Sequence, residues 1–147
     1  TSAGVKDMFV NHYNTGGQFL DEWNHYMATF DGSTLTGYIN GVSIGTTSYT
    51  GTILYDATFH GVVINGMPYR LMNGNVDEVS IFNSAKAIGD IWDGTGKPTD
   101  LSGESGLVSW YRMGDDATYP TIPDEVGSNN GTMTNMASGD IVADVPS

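Results

Sequence analysis

Pairs of Asn or Asp followed by Gly recur along this chain and mark the places where it must turn. Both residues of such a pair tolerate a positive φ, which the tightest β-hairpin turns require. Short segments separated by turns are typical of an all-β sandwich. The turn signals lie at Asn14–Gly17, Asp31–Gly32, Asn40–Gly41, Asn65–Gly66, Asn73–Gly74 and Asp93–Gly94.

The segments between these turns alternate in the way half-buried strands do. One example is the run that begins at His25, in which Tyr26, Ala28 and Phe30 share one face. We predict further strands at His60–Gly66, Val76–Phe82 and Leu107–Met113, and a hairpin with Asn40–Gly41 at its tip.

One short helical turn is predicted in residues 84–92. Its apolar residues Ala87, Ile88, Ile91 and Trp92 recur at helical spacing, and Ser84 is suited to be the N-cap. The following residues, 94–105, are rich in Gly, Ser and Pro and have no periodicity, which predicts a connector.

Composition narrows the range of functions. With 17 acidic and 5 basic residues the net charge is −12, so we expect no binding to nucleic-acid phosphates. The absence of cysteine excludes disulfides and thiolate zinc sites. No apolar run reaches the ~20 residues that a membrane span needs, so no membrane partner is expected. The chain begins with Thr1 and not with Met, which indicates a processed start or a piece of a longer chain.

Three segments carry a resemblance to laminin-G-like, concanavalin A-like jelly rolls. Residues 22–45 are similar to the middle of that fold, residues 74–92 to its closing strand and helical turn, and residues 106–135 to its opening strand and loop. The matching positions are Trp23, His25, Tyr38, Ile39, Asn40 and Gly41; then Gly74, Val76, Asp77, Glu78, Val79, Ile81, Phe82 and Asn83; and finally Leu107, Trp110, Asp124, Gly127, Asn129, Asn130 and Gly131.

The resemblance implies an antiparallel jelly-roll β-sandwich, but its segments stand in reversed order. It therefore implies a single domain over residues 1–147 that is circularly permuted, or one that shares strands with another chain. In this division residues 1–93 supply the middle and closing strands, 94–105 connect, and 106–147 supply the opening-strand-like segment and the tail. An edge left unfilled would expose unpaired backbone groups.

Taken together, the segments look most like modules in virion proteins of marine tailed phages. This resemblance implies a non-enzymatic structural role in the virion, in capsid decoration or in a tail or fibre. The implied partners are other virion proteins or further copies of the chain, with a trimer expected. The alternative is a calcium-dependent carbohydrate-binding module, or an adhesin or filament subunit, that is extracellular or on a bacterial cell surface and contacts glycans.

Asp77 is the first candidate ligand for calcium. By strand alternation it shares a face with Val79 and Ile81, and a carboxylate at a core edge needs a partner. Hard cations accept carboxylate, amide and carbonyl oxygens, and the resemblance points to the opening loop, with Asp124 and Asn130, for the other donors. Two alternatives need no metal: Asp77 accepts backbone N–H groups, or it pairs with Arg112.

The remaining chemistry-bearing residues favour packing over catalysis. Trp23, Trp92 and Trp110 are able to stack on sugar rings, but the resemblance implies that Trp23 and Trp110 are buried. The three histidines have no zinc-binding spacing. Glycoside hydrolysis needs two carboxylates facing each other across a cleft, whereas Asp77 and Glu78 are adjacent and should point to opposite faces of a strand.

Overall fold

A computed structural model describes residues 22–52, 62, 64, 74–143 and 146 of the chain. These residues form seven strands, one α-helical turn and one 3-10 turn. The strands are β1 (Tyr26–Phe30), β2 (Thr34–Ile39), β3 (Val42–Ser48), β4 (Val79–Phe82), β5 (Leu107–Tyr111), β6 (Thr121–Ile122) and β7 (Gly131–Thr132). The helical turn α1 spans Ile88–Ile91, and the 3-10 turn spans Ser138–Asp140. The predicted all-β, antiparallel fold class is confirmed.

The first sheet has the order β1-β2-β3 and is antiparallel throughout. Asn40 and Gly41 join β2 to β3 with φ values of 47° and 78°, which is the conformation that an Asn-Gly hairpin turn adopts. The hairpin predicted at this position is therefore confirmed. A register shift between Gly37 and Tyr38 adds a bulge to β2 and β3.

The second sheet joins two segments that are distant in sequence. β4 pairs antiparallel with β5, so that Ser80 lies opposite Trp110 and Ile81 lies opposite Ser109. These strands lie in the segments that resemble the closing and opening strands of a jelly roll. Their pairing attaches the C-terminal part of the chain to the closing strand. A third, smaller sheet contains only β6 and β7.

Two local predictions are wrong in detail. The strand predicted from Val76 begins only at Val79, because Glu78 has a φ of 52° and interrupts the extended backbone. The helical turn is present, but its N-cap is Ala87, which makes no side-chain capping bond, and not Ser84. The strand predicted at residues 60–66 lies outside the described residues except for positions 62 and 64.

The core of the described region is formed where α1, the connector and β5 meet. Ile91, Leu101 and Trp110 are buried together, and Met27, Phe82 and Leu107 pack against them. Leu101, in the predicted connector, is only 4% exposed. Lys86 Nζ also forms a 2.7 Å ion pair with Glu104. The connector is therefore anchored to the core by both an apolar and a charged contact.

Among the described residues, no helix has both the length and the apolar character that crossing a membrane requires.

Candidate functional site

The loop of residues 123–131, called here the Asp124 loop, lies along the outer edge of β5. The Asp124 carboxylate accepts hydrogen bonds from the backbone N–H of Trp110 at 3.0 Å, of Val126 at 3.2 Å and of Asn129 at 3.2 Å. The N–H of Glu125 in turn donates to the carbonyl of Trp110 at 2.8 Å. The Asp124 carboxylate and the Glu125 N–H therefore give Trp110, in β5, the two backbone bonds that a neighbouring strand would supply.

Further polar contacts hold this loop in one conformation. Asn129 Nδ2 donates to Ser109 Oγ at 3.2 Å, and the Asn130 side-chain oxygen accepts the Asp124 N–H at 3.0 Å. A Cβ at Gly127 would stand 2.8 Å from the Asp124 carboxylate, so only glycine fits there without movement. Asp124 and Ser109 are 8% and 2% exposed, and both have hydrogen-bond partners, as buried polar groups require.

These contacts determine the protonation state of Asp124. Burial raises the pKa of its carboxyl group, but the hydrogen bonds from the Trp110 N–H, the Ser109 hydroxyl and the N–H groups of Gly127 and Val126 lower it. The net result is a pKa of about 2. Asp124 is therefore ionised at every ordinary pH and acts as a fixed acceptor for backbone N–H groups.

Whereas Asp124 bonds to the backbone of Trp110, Glu78 bonds to its side chain. The Glu78 carboxylate accepts a 2.7 Å hydrogen bond from Trp110 Nε1 and a 3.3 Å bond from Arg112 Nε. The Arg112 guanidinium lies 5.7 Å from the centre of the Trp110 ring and also pairs with Asp115. We call Glu78, Trp110, Arg112 and Asp115 the Trp110 cluster.

This cluster corrects the prediction for Asp77. The positive φ of Glu78 ends the strand alternation that placed Asp77 on the face of Val79 and Ile81, and Glu78, not Asp77, pairs with Arg112. Asp77 Oδ1 accepts the N–H of Glu78 at 3.0 Å, which is one of the two metal-free alternatives. Burial is the main cause that raises the pKa of Asp77, and the neighbouring carboxylates of Glu78 and Asp115 raise it further.

The three residues predicted to bind calcium are distributed over two places. Asp124 and Asn130 are hydrogen-bonded within the Asp124 loop, and no described contact joins them to Asp77. Within the described ranges, no group of three or more His, Asp or Glu residues is placed to hold a metal ion. The calcium site stays a prediction, and the Asp124 carboxylate and the Asn130 side-chain oxygen already accept N–H groups.

A second cluster lies at the tip of the β2–β3 hairpin. The rings of His25 and Trp92 stack with an interplanar angle of 7° and centroids 5.7 Å apart. The Asn40 side chain accepts the His25 N–H at 2.8 Å and donates to the Asn24 side-chain oxygen at 2.8 Å. Gly41 lies against Trp92 so closely that a Cβ would overlap its ring. We call Asn24, His25, Asn40, Gly41 and Trp92 the hairpin-tip cluster.

Four members of the hairpin-tip cluster, Asn24, His25, Asn40 and Trp92, border an open cleft that residues of β1, β4 and the connector also line. His25 Nδ1 is buried and has no hydrogen-bond partner among the residues that the structure describes, and burial lowers the pKa of this imidazole. Trp23, half-buried, also lines the cleft. Aromatic rings provide stacking surfaces and side-chain amides provide hydrogen-bonding groups, and here Trp92 contacts His25 and Gly41 while the Asn40 amide bonds to His25 and Asn24.

The tryptophans singled out in the sequence differ in how deeply they are buried. Trp110 is buried in the core, as the resemblance implied, whereas Trp23 is only half-buried. Sequence reasoning did not identify the stack of His25 on Trp92. The Asn40–Gly41 pair predicted the turn, but it gave no signal that Trp92 lies against it.

Comparison with known proteins places the fold in a family. A family model described as the concanavalin A-like lectin/glucanases superfamily, of the laminin-G type, matches residues 5–91, which is more than half of the chain. No curated protein and no solved structure matches the sequence. The chain therefore belongs to the concanavalin A-like lectin/glucanases superfamily.

Proposed function

We propose that this protein is a non-enzymatic structural module of a tailed-phage virion, in capsid decoration or in a tail or fibre. The observation that carries the proposal is the attachment of residues 106–131, which follow the family match, to the closing strand β4. Through β5 and the Asp124 loop, the C-terminal segment adds a polar network and a buried Trp to the matched domain. A rigid unit of this kind suits a protein that holds a fixed place in an assembly.

The use of the carboxylates supports a role without catalysis. Glu78 accepts bonds from Trp110 and Arg112, and Asp124 accepts three backbone N–H groups. Both carboxylates therefore stabilise the contact between β4, β5 and the loop. A glycosidase instead needs a carboxylic acid and a carboxylate that face a substrate across a cleft.

The net charge of −12 supports an external location on a particle. A strongly acidic protein stays soluble at high local density and does not bind nonspecifically to nucleic acid. Its partners in this proposal are other virion proteins or further copies of the chain.

The test is localisation. Antiserum raised against the purified chain is applied to purified particles of marine tailed phages and to marine bacteria, and bound antibody is located by immunogold electron microscopy. Regular labelling of capsids, tails or fibres supports the proposal. Labelling of bacterial surfaces or secreted material, with particles unlabelled, would overturn it and favour the alternative below.

The hairpin-tip cluster favours a second candidate, a carbohydrate-binding module whose activity depends on calcium. The stacked His25 and Trp92 and the amides of Asn24 and Asn40 border the cleft. A glycan array with calcium and with chelator measures this activity. Binding that is lost in Trp92→Ala but kept in the surface control Tyr119→Ala, with both variants folded, would support it. A flat array under both conditions would remove it.

A further inference from the structure

We propose that the Asp124 loop is a built-in block against strand addition: it occupies the outer edge of β5 and prevents the protein from pairing edge to edge with another chain there. The inference concerns how self-association is controlled and does not depend on a virion location. It begins from the sequence of β5. Residues 105–111 contain no Asp, Glu, Lys, Arg or Pro, and the strand Leu107–Tyr111 is mainly apolar and aromatic. Short uncharged segments of this kind are the ones that pair with strands of other chains.

β5 has a strand on one edge and the Asp124 loop on the other. β4 pairs with it on the first side, and no described strand lies on the second. The N–H and carbonyl of Trp110 point to the second side, where they bond to the Asp124 carboxylate and the Glu125 N–H. Without the loop, an added strand could make the same two bonds with its own main chain.

The loop also contacts the rest of the strand. A Cβ at Gly127 would stand 3.3 Å from the Val108 carbonyl oxygen, so the loop backbone passes close to this acceptor. Asn129 Nδ2 donates to Ser109 Oγ at 3.2 Å, and the Tyr111 hydroxyl donates to the Asn129 carbonyl at 2.6 Å. The loop therefore fills the space in which another strand would have to lie.

The block includes a charge that an incoming strand would have to displace. The Asp124 carboxylate is 8% exposed and accepts three backbone N–H groups. A strand that replaced the loop would break these charge-assisted bonds together. Covering an edge with a loop and placing a charge at it are two ways in which proteins prevent edge-to-edge pairing, and the Asp124 loop combines them.

The strand and its block belong to the same segment of the chain. Asp124 follows Trp110 by 14 residues, and both lie after residue 91, where the family match ends. The segment that adds β5 to the closing strand β4 therefore also carries the loop that covers β5. Many copies of the chain can then lie close together without open-ended growth through this edge.

The experiment measures the solution mass of the full chain by light scattering over a concentration series. Two variants weaken the block by different routes. Asp124→Ala removes the acceptor, and Gly127→Ala places a Cβ 2.8 Å from the Asp124 carboxylate, which pushes the loop away from β5. The matched control is Gly41→Ala, which destabilises the β2–β3 hairpin and leaves the Asp124 loop bonded. Circular dichroism measures whether each variant is folded, and Gly127→Ala, the smaller change, decides the result if Asp124→Ala does not fold.

A rescue variant and a local measurement identify the edge involved. Val108→Lys, at a 40% exposed position of β5, adds a charge of the kind that protects edge strands. Combined with either loop variant, it should restore the wild-type mass. Hydrogen exchange of the peptide covering residues 107–111 is measured at high and low concentration.

We expect the loop variants to associate beyond the wild-type mass at concentrations at least about tenfold lower than wild type or Gly41→Ala does. Amides of the 107–111 peptide should exchange more slowly in the associated variants. The proposal is overturned if the folded loop variants keep the wild-type mass at every concentration, or if Gly41→Ala associates equally. It is also overturned by association that Val108→Lys does not reverse, or that leaves exchange in the 107–111 peptide unchanged. These outcomes leave the immunogold result unaffected, so the two proposals fail separately.

Discussion

The outer edge of β5 and the outer edge of β3 differ in what bonds to their backbone N–H and C=O groups in the described part of the chain. Both strands carry backbone groups that need hydrogen-bond partners. At β5, the Asp124 carboxylate and the Glu125 N–H bond to the N–H and carbonyl of Trp110. At β3, the described structure has no such cover, and the strand is neutral and exposed. The comparison teaches that one buried carboxylate and one backbone N–H can bond to the edge of a strand in place of a neighbouring strand.

The largest effect should follow from removing the acceptor at β5. Asp124→Ala leaves the N–H groups of Trp110, Val126 and Asn129 without their partner. Since each unsatisfied buried group costs about 1–3 kcal/mol and the loop relaxes toward water, we expect a loss of roughly 3 kcal/mol in the free energy of unfolding. Urea denaturation at pH 7 measures it, and Asp93→Ala, at an exposed turn, is the control with a much smaller effect. Equal losses in both variants would contradict the structural role of Asp124.

The pH dependence of stability tests whether Asp124 accepts these hydrogen bonds as an ionised carboxylate. The folded-state pKa of Asp124 is about 2, below the ordinary value of 3.8, so the unfolded chain binds the proton more tightly. The stabilisation is complete above about pH 4 and is lost as the pH falls through about 2. Wild type should lose this contribution over that interval in urea titrations, and Asp124→Asn should not. Parallel curves for the two proteins would exclude the proposed ionised acceptor.

A substitution at the hairpin tip should have the next largest effect. Gly41 has a φ of 78°, and a Cβ there would overlap the Trp92 ring. Gly41→Ala should therefore lower the free energy of unfolding by about 1–3 kcal/mol, through backbone strain and displacement of Trp92. Gly89→Ala is the matched control, because a Cβ at Gly89 meets no atom within 4 Å and alanine favours a helical turn. Thermal melts followed by tryptophan fluorescence distinguish the two.

The Trp110 cluster provides a smaller, paired prediction. Glu78→Gln weakens the bonds to Trp110 Nε1 and Arg112, and we expect a loss of about 1–2 kcal/mol, as for hydrogen bonds to a charged group. Asp77→Asn keeps the oxygen that accepts the Glu78 N–H and removes a carboxylate whose pKa burial already raises. It should be neutral or slightly stabilising in the same denaturation experiment. A reversed order of the two effects would restore Asp77 as the partner of Arg112.

The smallest effect concerns His25. Burial lowers the pKa of its imidazole from 6.5, so the unfolded chain binds the extra proton more readily. The stability that neutral His25 contributes is therefore complete above about pH 6.5 and decreases as the pH falls toward the lowered value. Melting temperatures from pH 7.5 to 5 should fall more in wild type than in His25→Phe, which keeps the stack on Trp92. Identical slopes would show that the imidazole is not buried as described.

Several features of the fold were predictable because they depend on local chemistry. The Asn40–Gly41 hairpin follows from two residues that tolerate positive φ, and the short helical turn at Ile88–Ile91 follows from apolar spacing. The strand character of β1 and of β5 follows from alternation. The candidate site was less predictable. Strand alternation predicted that Asp77 lies at the core edge. Glu78 has a positive φ, which interrupts the alternation, and Glu78 instead of Asp77 pairs with Arg112.

The sequence by itself determined an acidic, cysteine-free, all-β chain with a hairpin turn at Asn40–Gly41, because turn conformation, charge and periodicity depend on near neighbours. Only the tertiary structure decided that the Asp124 carboxylate bonds to β5, that His25 stacks on Trp92 and that Leu101 anchors the connector. Each of these contacts joins residues that are distant along the chain. Which distant groups meet depends on how the strands pair and pack, and no local pattern contains that information.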